Sequence, residues 1–514
     1  MVDSNSSSSK TVISRLQSWL RNPINLLLAF LIVAGFAARM IDLTDPPLDY
    51  NPSRQLRDAL ISRGIYYYLD PAADPQQRQV AVKTLGTIGA FEPPILETLV
   101  AASYLVLGAE TLWISRIFTG LFWVLGGLAL YRLLCRALSP PAALVSVAFF
   151  LFLPFSIIAS RAFQPDPLMV VWFVFAISAA YRWAEQRSWR SAWQLAVFGA
   201  LALLTKVVIV YLLALMMVFL VFKVVGFRLA LKDRQVWLIA LVILLPAYLY
   251  YVVIIPGGGG YIQNWVLALA PQILTVDFYL KLYTRLTTLI PLPFFILSFI
   301  GLYLSRSTLR AILFGLWVGY LLYILSVPHQ ITTHDYYHLQ LIPLVALSIA
   351  PLSHWVYQNY LSDKRLYRFT SALILLVVVA FGARAARGQL LAADYHDAPA
   401  FWEYIGAQLP QNGKTIALTQ QYGYPLTYYG WKRVSLWPVS QELNLSALRG
   451  VERQEFESFF AAKISGFSFF LVTSFSQLER QPTLQETLSD NFPIYSQGDG
   501  YIIFDLRTLL DDPQ

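Results

Sequence analysis

The sequence predicts a polytopic α-helical membrane protein with a small α/β domain at its C-terminal end. Hydrophobic residues make up 57% of the 514 residues and charged residues only 13%, whereas about 25% of a typical soluble domain is charged. Apolar stretches of about 20 residues, the length that crosses a bilayer, recur as far as residue 386. After residue 388, short β-like runs such as Thr415–Leu418 alternate with polar, helix-like segments. We therefore divide the chain into an N-terminal tail (1–22), a transmembrane domain (23–388) and a C-terminal α/β domain (389–514).

Eleven apolar segments are predicted to span the membrane. They cover residues 24–41, 113–135, 140–159, 167–184, 192–205, 207–226, 236–256, 288–304, 309–327, 339–358 and 367–386. The piece 93–108 is also apolar, but it is short for a span and contains Glu97, so we predict a helix that lies in the outer interface. This helix would belong to a long first outer loop, residues 42–112. The sequence leaves open whether it crosses the membrane instead.

The basic residues predict the orientation of the spans. Clusters such as Arg182, Arg187 and Arg190 recur in alternate connecting segments, and such segments are cytoplasmic by the positive-inside rule. This puts the N-terminal tail inside the cell and the C-terminal domain outside it. The tail does not have the features of a cleavable signal or of an organellar targeting segment, so we predict a multi-pass protein of a bacterial plasma membrane.

Composition also excludes several classes of function. The net charge is +8, but the basic residues are scattered between apolar segments, which favours membrane lipids over nucleic acid as partners. The single cysteine, Cys135, excludes an intrachain disulfide framework and a cysteine-ligated metal cluster. The glycine run Gly257–Gly260 lacks the strand and helix context of a phosphate-binding loop, and no other signature suggests one, so no nucleotide cofactor is expected.

Polar residues from five separate places fall at the predicted outer ends of the spans. They are Asp49, Glu92, Asp166, Lys206 and the run His334-Asp335-Tyr336-Tyr337-His338. Ionisable groups beside a bilayer are costly unless they have water, a partner or a function. The pattern therefore predicts a common cavity that opens outward.

The acidic members each have a structural alternative to a functional role. Asp49 precedes a predicted helix that begins at Asn51-Pro52; it could be a general base or a capping group, although Asn51 is the better-placed cap. Glu92 could simply complement a helix dipole. Asp166 could cap a helix that starts at Pro167 or pair with Arg161.

The basic and aromatic members are equally open to two interpretations. Lys206 could snorkel to lipid headgroups or hold a phosphate as a point charge. His334 and His338 could bind a metal if the run were helical, could donate hydrogen bonds to a phosphate, or could form a polar turn. Arg54 and Arg57, in the first outer loop, could contact headgroups or receive an anionic lipid-linked substrate.

These residues resemble a known family in their order and shared side. The chain is similar over about residues 20–385 to the GT-C superfamily of polytopic glycosyltransferases, close to the protein O-mannosyltransferase and aminoarabinose transferase group. The resemblance rests on an acidic residue in the long first outer loop and on four motifs: Phe91-Glu92-Pro93-Pro94-Ile95-Leu96, Ser160-Arg161 with Gln164-Pro165-Asp166, Leu203-Leu204-Thr205-Lys206, and His334–His338 leading into Leu341-Ile342-Pro343.

The resemblance implies an enzyme that takes a sugar from a polyprenyl-phosphate carrier. It would transfer the sugar, with inversion, to a hydroxyl of a protein, lipid or glycan outside the cytoplasm. The family motif is often Asp-Glu followed by Tyr, whereas here Asp49 is followed by Tyr50 and Asn51. Asp45 therefore remains an alternative base, with Asp49 preferred because it lies closer to the helix start.

We assign site roles from this resemblance. Asp49 and Asp166 are predicted catalytic residues, and a divalent metal of unspecified identity is predicted at Glu92, His334 and His338. The predicted substrate- and phosphate-binding residues are Lys206, Arg54, Arg57, Arg161, Tyr336 and Tyr337.

Two other functions would use the same features. A transporter or flippase of lipid-linked saccharides also needs outer cations and a cavity, but it predicts ionisable residues near mid-membrane on several spans. The clear spans carry few of these. A glycan polymerase or ligase shares the donor chemistry and differs in its acceptor.

Overall fold

The computed structural model describes residues 21–89, 91–255, 262–362, 365–410, 412–450 and 454–510. The glycine run Gly257–Gly260 and all but the last two residues of the predicted N-terminal tail lie outside these ranges.

The membrane domain is a bundle of apolar helices. Its helices are Pro23–Arg39, Trp113–Ala137, Pro140–Phe152, Pro154–Ser160, Pro165–Gln186, Trp189–Thr205, Val210–Val224, Phe227–Ala230, Arg234–Tyr248, Val276–Leu289, Leu292–Leu304, Ser307–Ser326, Pro328–Thr333, Leu341–Val356 and Arg365–Leu390. Short 3-10 turns cover Val207–Ile209, Ala270–Leu274 and Asp335–His338, and π-helical segments cover Leu249–Ile254, Ile262–Leu267 and Tyr357–Leu361. Each of the eleven predicted spans coincides with one or two of these helices.

Fewer helices meet the length and hydropathy of a membrane span than the sequence predicts. Among the described residues, seven helices are long and apolar enough to cross a membrane, or nine if each of two bent pairs is one span. Pro23–Arg39, Ile95–Leu107 and Leu292–Leu304 are apolar but shorter. The chain is therefore an integral multi-pass membrane protein, as predicted, but the count of eleven is not confirmed.

A buried arginine stabilises the break between two helices at Pro154. Pro140–Phe152 and Pro154–Ser160 meet at an angle of 59°, because proline ends the regular hydrogen-bond ladder. The guanidinium of Arg39 donates to the freed carbonyl of Leu151 at 3.1 Å and to Ser160 Oγ at 2.7 Å. Arg39 thus ties the end of the first helix, where the outer loop begins, to the broken helix.

The first outer loop contains three helices, Pro52–Leu69, Pro75–Thr87 and Ile95–Leu107. Helix Pro52–Leu69 is enclosed on nearly all sides, since its apolar Leu60 and its charged Asp58 are both buried. Pro52 occupies the first helical position as expected. Asn51 does not cap the helix, because its backbone is left-handed (φ +46°) and its side chain makes no capping hydrogen bond.

The C-terminal domain is a five-stranded mixed sheet with flanking helices, which confirms the predicted fold class. Its strands are β1 (Thr415–Leu418), β2 (Ser435–Leu436), β3 (Phe469–Val472), β4 (Ile494–Gly498) and β5 (Tyr501–Asp505). The order is β2-β1-β3-β5-β4, with β1 parallel to β2 and β3, and β5 antiparallel to β3 and β4. Its helices are Ala398–Gln408, Tyr424–Tyr428, Ser440–Leu448, Phe456–Ile464, Phe475–Glu479 and Pro482–Asn491, and a 3-10 turn covers Gln420–Gly423.

This domain shares a hydrophobic core with the first outer loop. Leu56, Leu60 and Tyr104 of the loop lie in one buried cluster with Trp402 and Leu426 of the domain. The domain therefore does not hang free of the membrane domain but packs directly on the loop helices.

Arg63 fastens the domain to the loop at the edge of this core. Its guanidinium carbon lies 3.7 Å from the ring centroid of Tyr428 and 4.0 Å from that of Trp431. It also donates to the Tyr428 carbonyl at 2.5 Å and pairs with Glu110 at 2.9 Å. An arginine that stacks on aromatic rings and also donates several hydrogen bonds is well suited to such a junction.

A second junction involves acidic groups and a histidine. Asp45 Oδ1 accepts a hydrogen bond from the backbone of Tyr395 at 2.9 Å and lies 3.2 Å from His396 Nδ1, which in turn lies 2.6 Å from Asp394 Oδ1. These bonds hold the start of the C-terminal domain against the first loop. Burial raises the pKa of Asp45, and the hydrogen bond to Asp394 raises the pKa of the exposed His396.

Candidate active site

Neighbouring groups orient the carboxylate of Asp49. Its side chain is 13% exposed. Oδ1 receives the backbone N–H of Tyr50 at 2.9 Å and Gln55 Nε2 at 3.3 Å, and it lies 3.6 Å from Arg116 Nη2. All these contacts fall on one oxygen, so the described neighbours leave Oδ2 available to an incoming group.

Two buried arginines fix the loop that carries Asp49. Arg116 Nη1 donates to the carbonyls of Asp42, Leu43 and Asp45 at 2.7–2.9 Å. Arg161 Nη2 donates to the Asp42 carbonyl at 2.6 Å. Arg161, a predicted substrate-binding residue, is 1% exposed and holds the loop through this bond.

Two ion pairs lie near Asp49. Lys206 Nζ is 2.5 Å from Asp166 Oδ1, and Arg54 Nη2 is 2.9 Å from Glu92 Oε1. Asp166 pairs with Lys206 and not with Arg161. The helices Pro165–Gln186 and Trp189–Thr205 pack side by side in antiparallel directions, so the first residues of one lie beside the residue that follows the other. Asp166 stands in the first turn of its helix, one residue after the helix begins at Pro165, so it does not cap a helix starting at Pro167.

Tyr336 brings the two pairs together. Lys206 Nζ lies 4.6 Å from the centre of the Tyr336 ring, and Arg54 Cζ lies 6.0 Å from it. Lys206 also lies 5.0 Å from the centre of the Tyr337 ring. Both cations are therefore held in one cluster, which we call the cation cluster (Arg54, Lys206, Tyr336 and Tyr337).

The charges of the cation cluster act on Glu92. Burial alone would raise the pKa of this carboxyl, but Arg54, Lys206 and Arg57 outweigh burial and lower its pKa below the ordinary value. Glu92 is consequently ionised at neutral pH, and it neutralises part of the cluster's positive charge.

The His334 segment closes one side of the site. Arg285 makes an ion pair with Asp335, and Asp335 and Asp166 both lie within electrostatic reach of the Tyr50 phenol beside Asp49. His334 hydrogen-bonds to Thr333 Oγ1 at 2.7 Å. Burial, assisted by the nearby cations, lowers the pKa of His334 to about 4, so its ring is neutral at physiological pH.

The predicted metal set does not fit the observed geometry. His338 is fully buried, and its two ring nitrogens are already engaged by Tyr320 Oη at 2.6 Å and the Ile331 carbonyl at 2.8 Å. Glu92 is paired with Arg54, and cations surround the site. Within the part of the chain that the structure describes, the one group of three metal-ligand residues is Asp45, Asp394 and His396, at the domain junction.

Arg57 and Asp58 form a buried pair that sequence reasoning did not find. Arg57 Nη1 lies 3.1 Å from Asp58 Oδ1, Nη2 donates to the Gly89 carbonyl at 2.6 Å, and the guanidinium stacks on Phe91. Burial raises the pKa of Asp58 to about 6, although Arg54 and Arg57 oppose the shift. Arg57, predicted to bind substrate, is thus committed to these partners.

The structure therefore gathers most of the predicted residues at one end of the bundle. Asp49, Glu92, Asp166, Lys206, Tyr336 and Tyr337 lie close together there. Arg57, Arg161 and His338 support them from buried positions. Gln55 was not predicted, yet it links Asp49 to the backbone N–H of Phe163 at 2.9 Å.

Comparison with protein families gives one match that includes part of this site. Residues 92–251 match the family described as dolichyl-phosphate-mannose-protein mannosyltransferase. That segment contains Glu92, Asp166 and Lys206. No curated protein sequence matches the chain significantly.

Solved structures match nearly the whole chain in fold. ArnT from Cupriavidus metallidurans in the apo state has 14% sequence identity and a TM-score of 0.56, covering 93% of this chain and 97% of its own. ArnT from the same organism bound to undecaprenyl phosphate gives 15% identity, a TM-score of 0.54 and the same coverage.

The structure of an oligosaccharyltransferase also matches the chain in fold. The oligosaccharyltransferase of Archaeoglobus fulgidus, in complex with Zn and sulfate, has 13% identity and a TM-score of 0.52, covering 92% of this chain and 73% of its own. These matches agree with the resemblance seen in the sequence motifs. The chain therefore has the fold of the GT-C glycosyltransferases of the protein mannosyltransferase and ArnT type.

Proposed function

We propose that the protein is a membrane glycosyltransferase that moves a sugar from a polyprenyl-phosphate donor to a hydroxyl acceptor on the extracytoplasmic side. The observation that carries the proposal is the cation cluster, which gathers Arg54 and Lys206 around Tyr336, near the loop that carries Asp49. The side of the membrane follows from the distribution of basic segments. The donor class is supported by the fold shared with ArnT, one structure of which is bound to undecaprenyl phosphate.

The cation cluster suits the donor phosphate. Lys206 and Arg54 flank Tyr336, and each is held in place by a carboxylate. A phosphate that leaves the sugar gains negative charge, and fixed cations in a water-poor site stabilise such charge strongly. The cluster would thus bind the donor and stabilise its leaving group.

An apolar groove beside the cluster suits the isoprenoid chain. It has a volume of about 450 Å³ and is lined by Ile95, Leu96, Leu99, Leu168 and Trp172, among others. Leu168 and Trp172 stand on the helix that carries Asp166, and Leu96 follows Glu92 by four residues. An isoprenoid lying there would bring its phosphate to the cluster.

Asp49 is the proposed base. The acceptor oxygen attacks the anomeric carbon and loses its proton to Asp49 Oδ2, while the bond from that carbon to the phosphate oxygen breaks and its electron pair stays on the phosphate. Inversion follows if the acceptor and the phosphate lie on opposite faces of the sugar. Asp166 keeps Lys206 oriented; it supports the site through that contact.

Transfer from purified radiolabelled polyprenyl-phosphate sugars, in proteoliposomes with membrane lipid, glycan and protein fractions as acceptors, tests the proposal. We expect Asp49→Asn to lower turnover by a factor of about 10² to 10⁴, the usual contribution of a general base. Undecaprenyl phosphate should bind this variant as it binds the wild type, because the amide retains Oδ1.

Asp45→Asn is the matched control. Asp45 is 3% exposed and accepts the Tyr395 N–H through Oδ1, which an asparagine preserves, so this variant should keep its turnover. Full activity in Asp49→Asn would remove the assignment of the base. Movement of the donor across the bilayer without transfer to any acceptor would favour the transporter alternative.

A further inference from the structure

The C-terminal domain places a strained and exposed turn beside the active site. The turn joins β1 to the helix Tyr424–Tyr428. Its residues Gln421, Tyr422 and Gly423 have φ values of +50°, +59° and +68°. Left-handed backbone is unfavourable for residues other than glycine and persists where the surrounding structure enforces it, often at ligand sites.

Hydrogen bonds hold this turn from behind. Gln420 Nε2 donates to the Thr473 carbonyl at 2.8 Å, and Thr473 Oγ1 lies 2.8 Å from Thr419 Oγ1 and 2.7 Å from Gln420 Oε1. Thr419 follows β1 and Thr473 follows β3. The turn therefore lies at the carboxyl edge of the parallel strands, the edge where α/β sheets bind ligands.

The turn faces the helix that carries the active-site arginines. Tyr424 packs against the core that the domain shares with the first loop, and its hydroxyl lies within electrostatic reach of Arg57, Arg54 and Asp58. The ring of Tyr422 is 6.2 Å from that of Tyr424 and is 55% exposed. Tyr422 is thus a large aromatic group that is left uncovered beside Tyr424, the residue that the arginines of the first-loop helix reach.

The domain also contacts the opposite side of the site. The guanidinium carbon of Arg449 lies 3.7 Å from the centre of the Trp265 ring, and Trp265 packs against His329 at 6.1 Å. His329 stands in the helix that leads to His334. The segment from Tyr422 to Arg449 therefore reaches from the first loop to the His334 side.

We propose that the turn Gln421–Tyr424 is the acceptor-binding wall of the active site and that Tyr422 stacks on a saccharide ring of the acceptor. This rests on the proposed function, since it names the class of its acceptor. The faces of a pyranose carry C–H groups that pack on an aromatic ring, and its hydroxyls need polar partners nearby. Gln421 and Glu442, which lies within electrostatic reach of Tyr422, supply them.

This surface is less suited to bind a peptide acceptor. Peptides commonly add as a strand to an exposed sheet edge. The edge strand nearest the turn, β2, is only two residues long, and it offers few backbone groups for such pairing. The exposed aromatic ring at the turn matches a saccharide better.

Saturation-transfer NMR on the full-length protein in a detergent without sugar tests this proposal. The probes are maltotriose, cellobiose and chitobiose, with a serine- and threonine-containing peptide as the competing class. We expect saturation of pyranose ring protons by the wild type and an about fivefold weaker effect in Tyr422→Asn, the factor that loss of one aromatic contact gives. Asparagine tolerates left-handed backbone, so the turn is retained.

Two controls make the outcome specific. Tyr422→Phe keeps the ring and should keep the effect, and Tyr495→Asn removes an exposed tyrosine from β4, at the far edge of the sheet, and should change nothing. Absence of saturation from all three saccharides, equal saturation in Tyr422→Asn, or selective saturation of the peptide would overturn the proposal. Undecaprenyl phosphate binding, measured separately, tests the proposed function and does not depend on Tyr422.

Discussion

Breaking the Lys206–Asp166 pair should separate the contribution of these residues to stability from their contribution to function. The side chains are 5% and 1% exposed, and their charged atoms are 2.5 Å apart. At an effective dielectric constant of about 20 the gross attraction at this distance is about 7 kcal/mol, and the desolvation of both ions offsets much of it. Removing one partner leaves a buried charge, which typically costs about 3–5 kcal/mol.

Lys206→Met should therefore lower the free energy of unfolding by about 3 kcal/mol. The lower end of the range applies because Arg54 still acts on Asp166. The double variant Lys206→Met with Asp166→Asn carries no unpaired charge and should recover most of this loss. We expect a coupling energy of about 2 kcal/mol in a double-mutant cycle of unfolding free energies in mixed micelles.

Binding of undecaprenyl phosphate should respond differently. Lys206→Met and the double variant should both bind it about 10- to 100-fold more weakly, because each lacks one charge-assisted contact. Strictly additive stability effects would refute the buried pair. Unchanged affinity in Lys206→Met would refute the placement of the donor phosphate.

Two further predictions concern pH and helix packing. Burial lowers the pKa of His334 from 6.5 to about 4. The stability that the neutral His334 ring contributes is therefore fully present above the pKa of the unfolded state and is lost as the pH falls from 6.5 toward 4. Over this range of pH, the unfolding midpoint of His334→Gln should fall less steeply than that of the wild type. Gly301→Ala would bring a Cβ to 1.9 Å from the Ser348 carbonyl oxygen of the packed helix and should destabilise the protein by about 1–3 kcal/mol, whereas Gly86→Ala, which meets nothing within 4 Å, should leave the unfolding midpoint unchanged or raise it slightly; equal effects of the two substitutions would contradict the close helix contact.

The gathering of the polar residues could be predicted from the sequence because hydropathy and basic loops limit where each segment can lie. Once spans alternate, Asp49, Glu92, Asp166 and Lys206 must all approach one surface. No detailed geometry is needed for that step. The same reasoning predicted the helical bundle and the small sheet domain.

The partners of these residues could not be predicted, because they depend on how the helices pack. Asp166 has Arg161 nearby in sequence, yet it pairs with Lys206, 40 residues away. His338 has the spacing of a metal ligand from His334, but Tyr320 on the preceding long helix occupies one of its nitrogens. Sequence spacing reports neither of these contacts.

The burial of the first outer loop depended on still more distant residues. Asp58 and Arg63 are charged residues of a helix in a predicted outer loop, where the sequence gives no reason to expect burial, yet both are buried. Arg63 is buried because the C-terminal domain packs over that helix, and Arg63 and Tyr428 are separated by 365 positions. Pairings of this range leave no periodic signal in a single sequence.

The bond between Arg63 and Tyr428 also has a consequence for biosynthesis. A ribosome that adds about 5–20 residues per second makes the 365 intervening positions in about 20–70 s. Through that interval the early loop has already emerged while the surface that will bury Leu56 and Leu60 has not yet been made. The core that the first outer loop shares with the C-terminal domain therefore forms only after the last part of the chain is made, and a truncated chain would leave Leu56 and Leu60 without this cover.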